Sequence, residues 1–213
     1  MTDPFPPGFF ERQDESADPD FYGMPRLVTH IDDGAIDAVG QLYEELGIDG
    51  SGPPDGHVLD LMSSWISHLR SAPAELTVLG LNQAELDANP MATVRVVQDL
   101  NVDPVLPFPD GIFTAATCCV SVDYLVRPIE VFREVARVLR PGAPFVVTFS
   151  NRCFPTKAIR GWLATDDATH VEIVRQYFSR AGRFDPPETS QRVPLDQPGD
   201  PLWAVWARRA VPT

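Results

Sequence analysis

Between residues 57 and 150 the chain alternates short apolar runs with stretches of helical periodicity, and few architectures accept that order. Strands that follow one another through helices run parallel, because a parallel pair needs a crossover long enough to return to its starting edge. Buried on both faces, such strands read as unbroken apolar runs. Runs at 57–61, 76–81, 93–98, 112–120 and 144–150 fit that description, and two later strands are read at 189–193 and 202–207. The order predicts an α/β fold with a doubly wound, mostly parallel sheet of about seven strands.

Punctuating residues set the helices. The face formed by Phe132, Val135, Ala136 and Leu139 predicts a helix over 128–139, ended by Pro141-Gly142. Thr165 reads as the N-cap of another, with Asp166 and Asp167 in its first turn, Val171, Val174 and Phe178 inward, and Ala181-Gly182 as its stop. Ahead of the sheet, Asp32-Asp33 caps a helix carrying Ile36, Val39, Tyr43 and Leu46 up to Gly47. The turn-rich Ser51-Gly52-Pro53-Pro54-Asp55-Gly56 divides the chain into an N-terminal extension with a lid helix, 1–55, and a sheet domain, 56–213. Residues 1–19, rich in Pro, Asp and Gly around Phe9-Phe10, are expected to be ordered only in part, docking those aromatics on the domain.

With 17 Lys and Arg against 30 Asp and Glu, the net charge of −13 repels a phosphate backbone, so no nucleic-acid partner is expected. Arg127, Arg133, Arg137 and Arg140, and the group Arg152, Lys157 and Arg160, read as solvated helix faces among acids such as Glu130 and Glu134. Three cysteines, two adjacent at Cys118 and Cys119, make no disulfide framework and read as buried thiols of a reducing compartment. With no signal-peptide pattern at residues 1–7 and no apolar run of membrane-spanning length, a cytoplasmic protein without membrane partners is expected. His57, His68 and His170 lack metal-ligand spacing, so no metal is expected.

Four segments then follow in a telling order. Asp99-Leu100 precedes Leu106-Pro107-Phe108-Pro109-Asp110-Gly111; Val120-Ser121-Val122-Asp123-Tyr124-Leu125 closes the fourth strand; Glu130 to Leu139 leads into Arg140-Pro141-Gly142; and Tyr177-Phe178-Ser179-Arg180-Ala181-Gly182 ends a helix. In that order they resemble the class I S-adenosylmethionine-dependent methyltransferases of the type 11-like group, over about residues 56–208. The resemblance implies a Rossmann-like sheet whose last strand is antiparallel, S-adenosyl-L-methionine as cofactor, weakly bound or lost, and a small-molecule acceptor, in a monomer or homodimer.

The first half departs from that family. Where it carries D-x-G-x-G-x-G, this chain reads Asp60-Leu61-Met62-Ser63-Ser64-Trp65-Ile66, and Asn82 replaces the acid that grips the ribose. Glycine takes positive φ freely and other residues do not, which predicts a different path for this loop. The segment resembles a subgroup with a degenerate glycine loop. By the resemblance the cofactor is held by Asp60, Met62, Ser64, Asn82, Asp99, Leu100 and Val120. Several have a second reading: Asp60 as a bond to loop amides, Asn82 as a helix N-cap, Asp99 as an Asx-turn, Trp65 as packing. The segment Phe21 to Asp32 is read as a lid that presents Tyr22 and Arg26 to the substrate and His30 as a catalytic residue, because its ordinary pKa suits proton transfer near neutrality; Tyr124, past the end of the fourth strand, is read as the other catalytic residue, facing the acceptor. The plainer alternative pairs Arg26 with an aspartate and packs His30 beneath a helix. For the whole chain the rival reading is a non-catalytic methyltransferase-like binding or scaffold protein.

Overall fold

The computed structural model describes residues 5–211. Seven strands form one sheet in the order β3-β2-β1-β4-β5-β7-β6, namely β1 His57–Leu61, β2 Glu75–Gly80, β3 Val94–Val97, β4 Ala115–Cys119, β5 Pro144–Phe149, β6 Glu188–Val193 and β7 Leu202–Arg208. The first five pair in parallel, β1 against both β2 and β4, whereas β7 runs antiparallel to β5 and β6. The predicted α/β sheet and its antiparallel last strand are therefore present. The fourth strand is shorter than its apolar run, because residues 112–114 serve the turn that enters it.

Helices cover both faces. Alongside α1 (Asp18–Tyr22), α2 (Asp33–Glu45) begins as predicted, with Asp32 accepting from the Ala35 amide at 2.9 Å. It buries Ala35, Val39, Leu42 and Tyr43 against Val58, Leu76, Val78 and Val146 of the sheet. On that face too lies α3 (Gln83–Ala88), capped by Asn82. Pressed to the other face, α4 (Pro128–Val138) and α6 (Asp167–Ala181) pack Phe132, Val135, Tyr177 and Phe178 on Phe145 and Val147, with α5 (Arg160–Leu163) adding Trp162. The cap of α6 is Asp166 rather than Thr165; the Asp166 carboxylate accepts from the Thr169 amide, while the Thr165 hydroxyl donates back to Gly161. Among the described residues no helix joins β1 to β2, whose link is the irregular stretch 62–74.

The N-terminal strip is better ordered than its composition suggests, although residues 1–4 lie outside the described part. Phe5, Phe9 and Phe10 pack together and onto Tyr177. The amides of Arg160 and Gly161, at the start of α5, donate to Glu11 and Phe9 carbonyls. A Cβ at Gly161 would fall 2.2 Å from the Phe9 ring, so only glycine admits this seat. Arg12 holds Asp18 bidentately at 2.7 and 2.9 Å. Lys157, predicted to lie on a solvated face, is fully buried; its Nζ donates to Ser16 O at 2.7 Å and sits 3.3 Å from both Asp14 and Asp18 carboxylates. Arg137 with Glu134, and Arg127 with Glu130, do form the expected surface pairs.

Below the ends of β4 and β5, a single 3₁₀ turn, Val122–Tyr124, buries Asp123 with one carboxyl oxygen lacking any partner. That burial pushes its carboxyl up to about 8 from 3.8.

Two measurements check these buried groups. Lys157→Ala takes one of two cations from buried Asp18, leaving it to Arg12, and removes the cation beside Asp14; it is expected to lower unfolding stability by about 3 kcal/mol in urea titrations, and a loss near zero would contradict the buried network. Asp123 binds its proton more tightly folded than unfolded, so its contribution is complete below about pH 3.8 and is lost as pH rises towards 8. Asp123→Asn should therefore be more stable than the parent at pH 8, by on the order of a few kcal/mol, and the difference should vanish near pH 4.

Candidate functional site

A cleft of about 370 Å³ opens at the carboxyl ends of β1, β2 and β4, where open α/β sheets gather ligands. Asp60, Met62, Ser64, Asn82, Asp99, Leu100 and Val120 line it from the sheet side, and Tyr22, Arg26 and His30 from the lid; Tyr124 faces it as well. The candidate cofactor, substrate and catalytic residues read from the sequence therefore all line one cleft.

The β1 turn begins with Asp60, buried, accepting from the Thr117 and Ser63 hydroxyls at 2.8 and 2.6 Å. Burial still pushes its carboxyl up from the ordinary range. Met62 takes φ 52°, so at this position the loop keeps a left-handed backbone without glycine, and the different path predicted for it begins only afterwards. There the chain folds across β2: the Ser63 amide donates to Leu79 O, and a Cβ on Gly80 would lie 2.3 Å from Ser63 O. A glycine is thus required one strand away from where the family pattern places its own.

Asn82 caps α3 by accepting from the Glu85 amide and gives its own amide to Tyr22 O at 2.8 Å and Gly23 O at 3.2 Å. Both donors of that side chain are engaged with the lid. Two further bonds fasten the same lid, and a third braces Glu85 against the β1 turn. Glu85 accepts from the Arg26 amide at 2.6 Å and from the Ser64 hydroxyl at 2.8 Å, and Trp65 donates from its indole to Val28 O at 3.1 Å. Glu85 was not singled out in the sequence, yet it stands three residues after an N-cap, a spacing that marks a capping pair.

Asp99 makes the Asx-turn, accepting from the Asn101 amide at 2.9 Å, and lies at the cleft wall beside buried Leu100. Val120 closes β4 with φ 43°. The Tyr124 hydroxyl accepts from the Phe154 amide at 2.8 Å, and burial raises its phenol far above the ordinary value, so it stays protonated. His30 is exposed at the rim, edge-on to Phe154 at 5.4 Å rather than packed beneath a helix, and desolvation lowers its pKa, favouring the neutral ring. His68, passed over in the sequence for want of metal spacing, also faces the cleft; it is strained at φ 55°, its Nδ1 is buried without a partner, and burial pushes its pKa down to about 4. Among the described residues no cluster of three or more metal-ligating side chains exists, and no helix is long and apolar enough to cross a membrane.

A family model of the methyltransferase domain matches residues 59–147. No curated protein matches the sequence. Among solved structures, geranyl diphosphate C-methyltransferase from Streptomyces coelicolor A3(2), crystallised with Mg2+, geranyl diphosphate and S-adenosyl-L-homocysteine, superposes with a TM-score of 0.54 at 16% identity, over 82% of this chain and 79% of that one. A SAM-dependent methyltransferase from Aquifex aeolicus gives 0.57 at 14% identity, covering 83% and 92%. The [4+2]-cyclase SpnF gives 0.58 at 17% identity, covering 91% and 92%, so one sheet plan serves different chemistries. Residues 59–147 thus match the methyltransferase-domain model, and the strand order with its antiparallel β7 is the fold these solved structures share.

Proposed function

We propose that the cleft binds S-adenosyl-L-methionine and directs its methyl group to a small-molecule acceptor. The observation that carries this reading is the convergence of Asp60, Asp99 and Leu100 at the strand ends with polar atoms that have no partner, the Tyr22 hydroxyl and Arg26 Nη1 of the lid and His68 Nδ1 of the β1–β2 link. Buried polar atoms without partners are costly, and a bound ligand supplies what they lack. The cofactor supplies an electrophilic methyl on a sulfonium; the protein's part is placement, exclusion of water and, where the acceptor loses a proton, a group to take it.

The residues fit the adenosine end best. Asp99 keeps one carboxylate oxygen in its turn, which leaves the other for the adenine amine, beside the apolar Leu100. Val120 lies across the cleft, Met62 and Ser64 border the methionine end, and Asp60 stiffens the turn between them. Neutral His30 is the side chain suited to accept a proton. Tyr124, held protonated and bonded to Phe154, acts by setting the loop after β5. Asn82 has to leave the Tyr22 and Gly23 carbonyls before it can donate to a ribose, which makes the lid bonds an opponent of that contact.

That opposition favours one rival reading, a methyltransferase-like module that binds without catalysis. Calorimetry separates the two. S-Adenosylhomocysteine is expected to bind at micromolar affinity or weaker, and Asp99→Asn, which preserves the turn acceptor, should weaken it about tenfold or more by removing a charged acceptor. No heat from folded protein at high ligand concentration would favour the non-catalytic module. Asn82→Asp keeps the N-cap but turns two donors into acceptors facing carbonyls; it should free residues 22–30 to exchange amide hydrogens faster and tighten S-adenosylhomocysteine several-fold. Unchanged exchange would show that the lid is held by other bonds.

A further inference from the structure

Arg26 is a cation without a counter-ion in a strongly acidic chain. No carboxylate of a described residue lies within 4.0 Å of its guanidinium. Glu85 meets the Arg26 backbone amide instead, and the guanidinium reaches away from it to lie 4.8 Å over Phe21, 5.6 Å over Tyr22 and 5.4 Å over Phe154. One arm, Nη2, donates to Phe21 O at 2.9 Å; the other, Nη1, is buried with no partner, as is the neighbouring Tyr22 hydroxyl. The aromatic faces fix the planar group in orientation and screen it from water, while the free arm and the phenol remain as donors on the cleft wall.

Resting on the proposed methyl transfer, we propose that the acceptor is an apolar or aromatic molecule bearing one carboxylate, held by Arg26 Nη1 and the Tyr22 hydroxyl. The count of charges sets the class. A phosphate ester, carrying nearly two, would need a second cation, yet Arg12 and Lys157 are already bound to Asp18 and Asp14, and Arg152 stands at the rim, 64% exposed, beside Asp200. The body of such a molecule meets Phe154, Tyr124 and Trp65. A neutral acceptor would leave both donors and the charge unmet, a cost that selects against it.

The test uses calorimetry on the full chain with a panel of aryl and alkyl monocarboxylates, 4-hydroxybenzoate among them, and with their amides, alongside S-adenosylhomocysteine and 5′-methylthioadenosine. At least one monocarboxylate should bind ten times more tightly than its amide. Arg26→Gln should remove that preference and leave S-adenosylhomocysteine unchanged, and Tyr22→Phe, which deletes only a hydroxyl without a partner and so spares folding, should weaken the carboxylate several-fold. Equal binding of acid and amide, no binding by any member of the panel, or retained preference in both variants would overturn the proposal. It would equally fall if Arg26→Gln weakened S-adenosylhomocysteine but not 5′-methylthioadenosine, for the carboxylate would then be the cofactor's own. Should S-adenosylhomocysteine fail to bind the parent while the carboxylate preference holds, the methyl-transfer reading fails and the carboxylate site stands.

Discussion

The Asp18 carboxylate holds this molecule's working end together. Arg12 grips it from the N-terminal strip, Lys157 from the loop after β5, and Asn101 from the turn after β3 at 2.8 Å. Asn101 carries the connection onward, donating to Tyr124 O and accepting from the Val126 amide beyond β4. Four segments distant in sequence are thereby tied to one buried charge at the top of the sheet. Ion pairs in such places give register rather than net stability, since desolvation offsets much of their attraction. Here register is what matters: α1 starts at Asp18, so this carboxylate fixes where Phe21, Tyr22 and the lid cross the cleft.

Backbone strain gathers around the same cleft. Met62, His68 and Val120 are the described non-glycine residues with positive φ, and all three line it. Each costs about 1–2 kcal/mol relative to a relaxed backbone. Strain of that kind persists only where the surroundings dictate the conformation. At Met62 the dictating contacts are the Asp60–Thr117 bond on one side and the Ser63–Leu79 bond on the other. The left-handed bend of this loop is therefore made without a glycine.

The sheet was legible because strand burial and helix spacing are written locally, in runs such as Phe145 to Phe149 and the face of Phe132, Val135 and Ala136. Asp99 and Asn82 could be located by the segments around them, but not their hydrogen-bond partners. Asn82 proved to be both an N-cap and a bond to a segment 60 residues earlier, and only the folded chain reveals the second. Lys157 misled for the same reason: a lysine among arginines reads as surface, and its carboxylates lie more than 130 residues upstream. The unsatisfied atoms of Tyr22, Arg26 and His68 have no sequence signal, being defined by what is missing around them.

Because Asn82 spends both its amide hydrogens on the lid, any ligand that needs them meets two populations of the protein. Such a ligand would have to displace the Tyr22 and Gly23 carbonyls first, and the share of molecules with the amide released would scale its apparent affinity. A substitution that loosened this one amide would then change how readily the cleft fills without altering the rest of its lining.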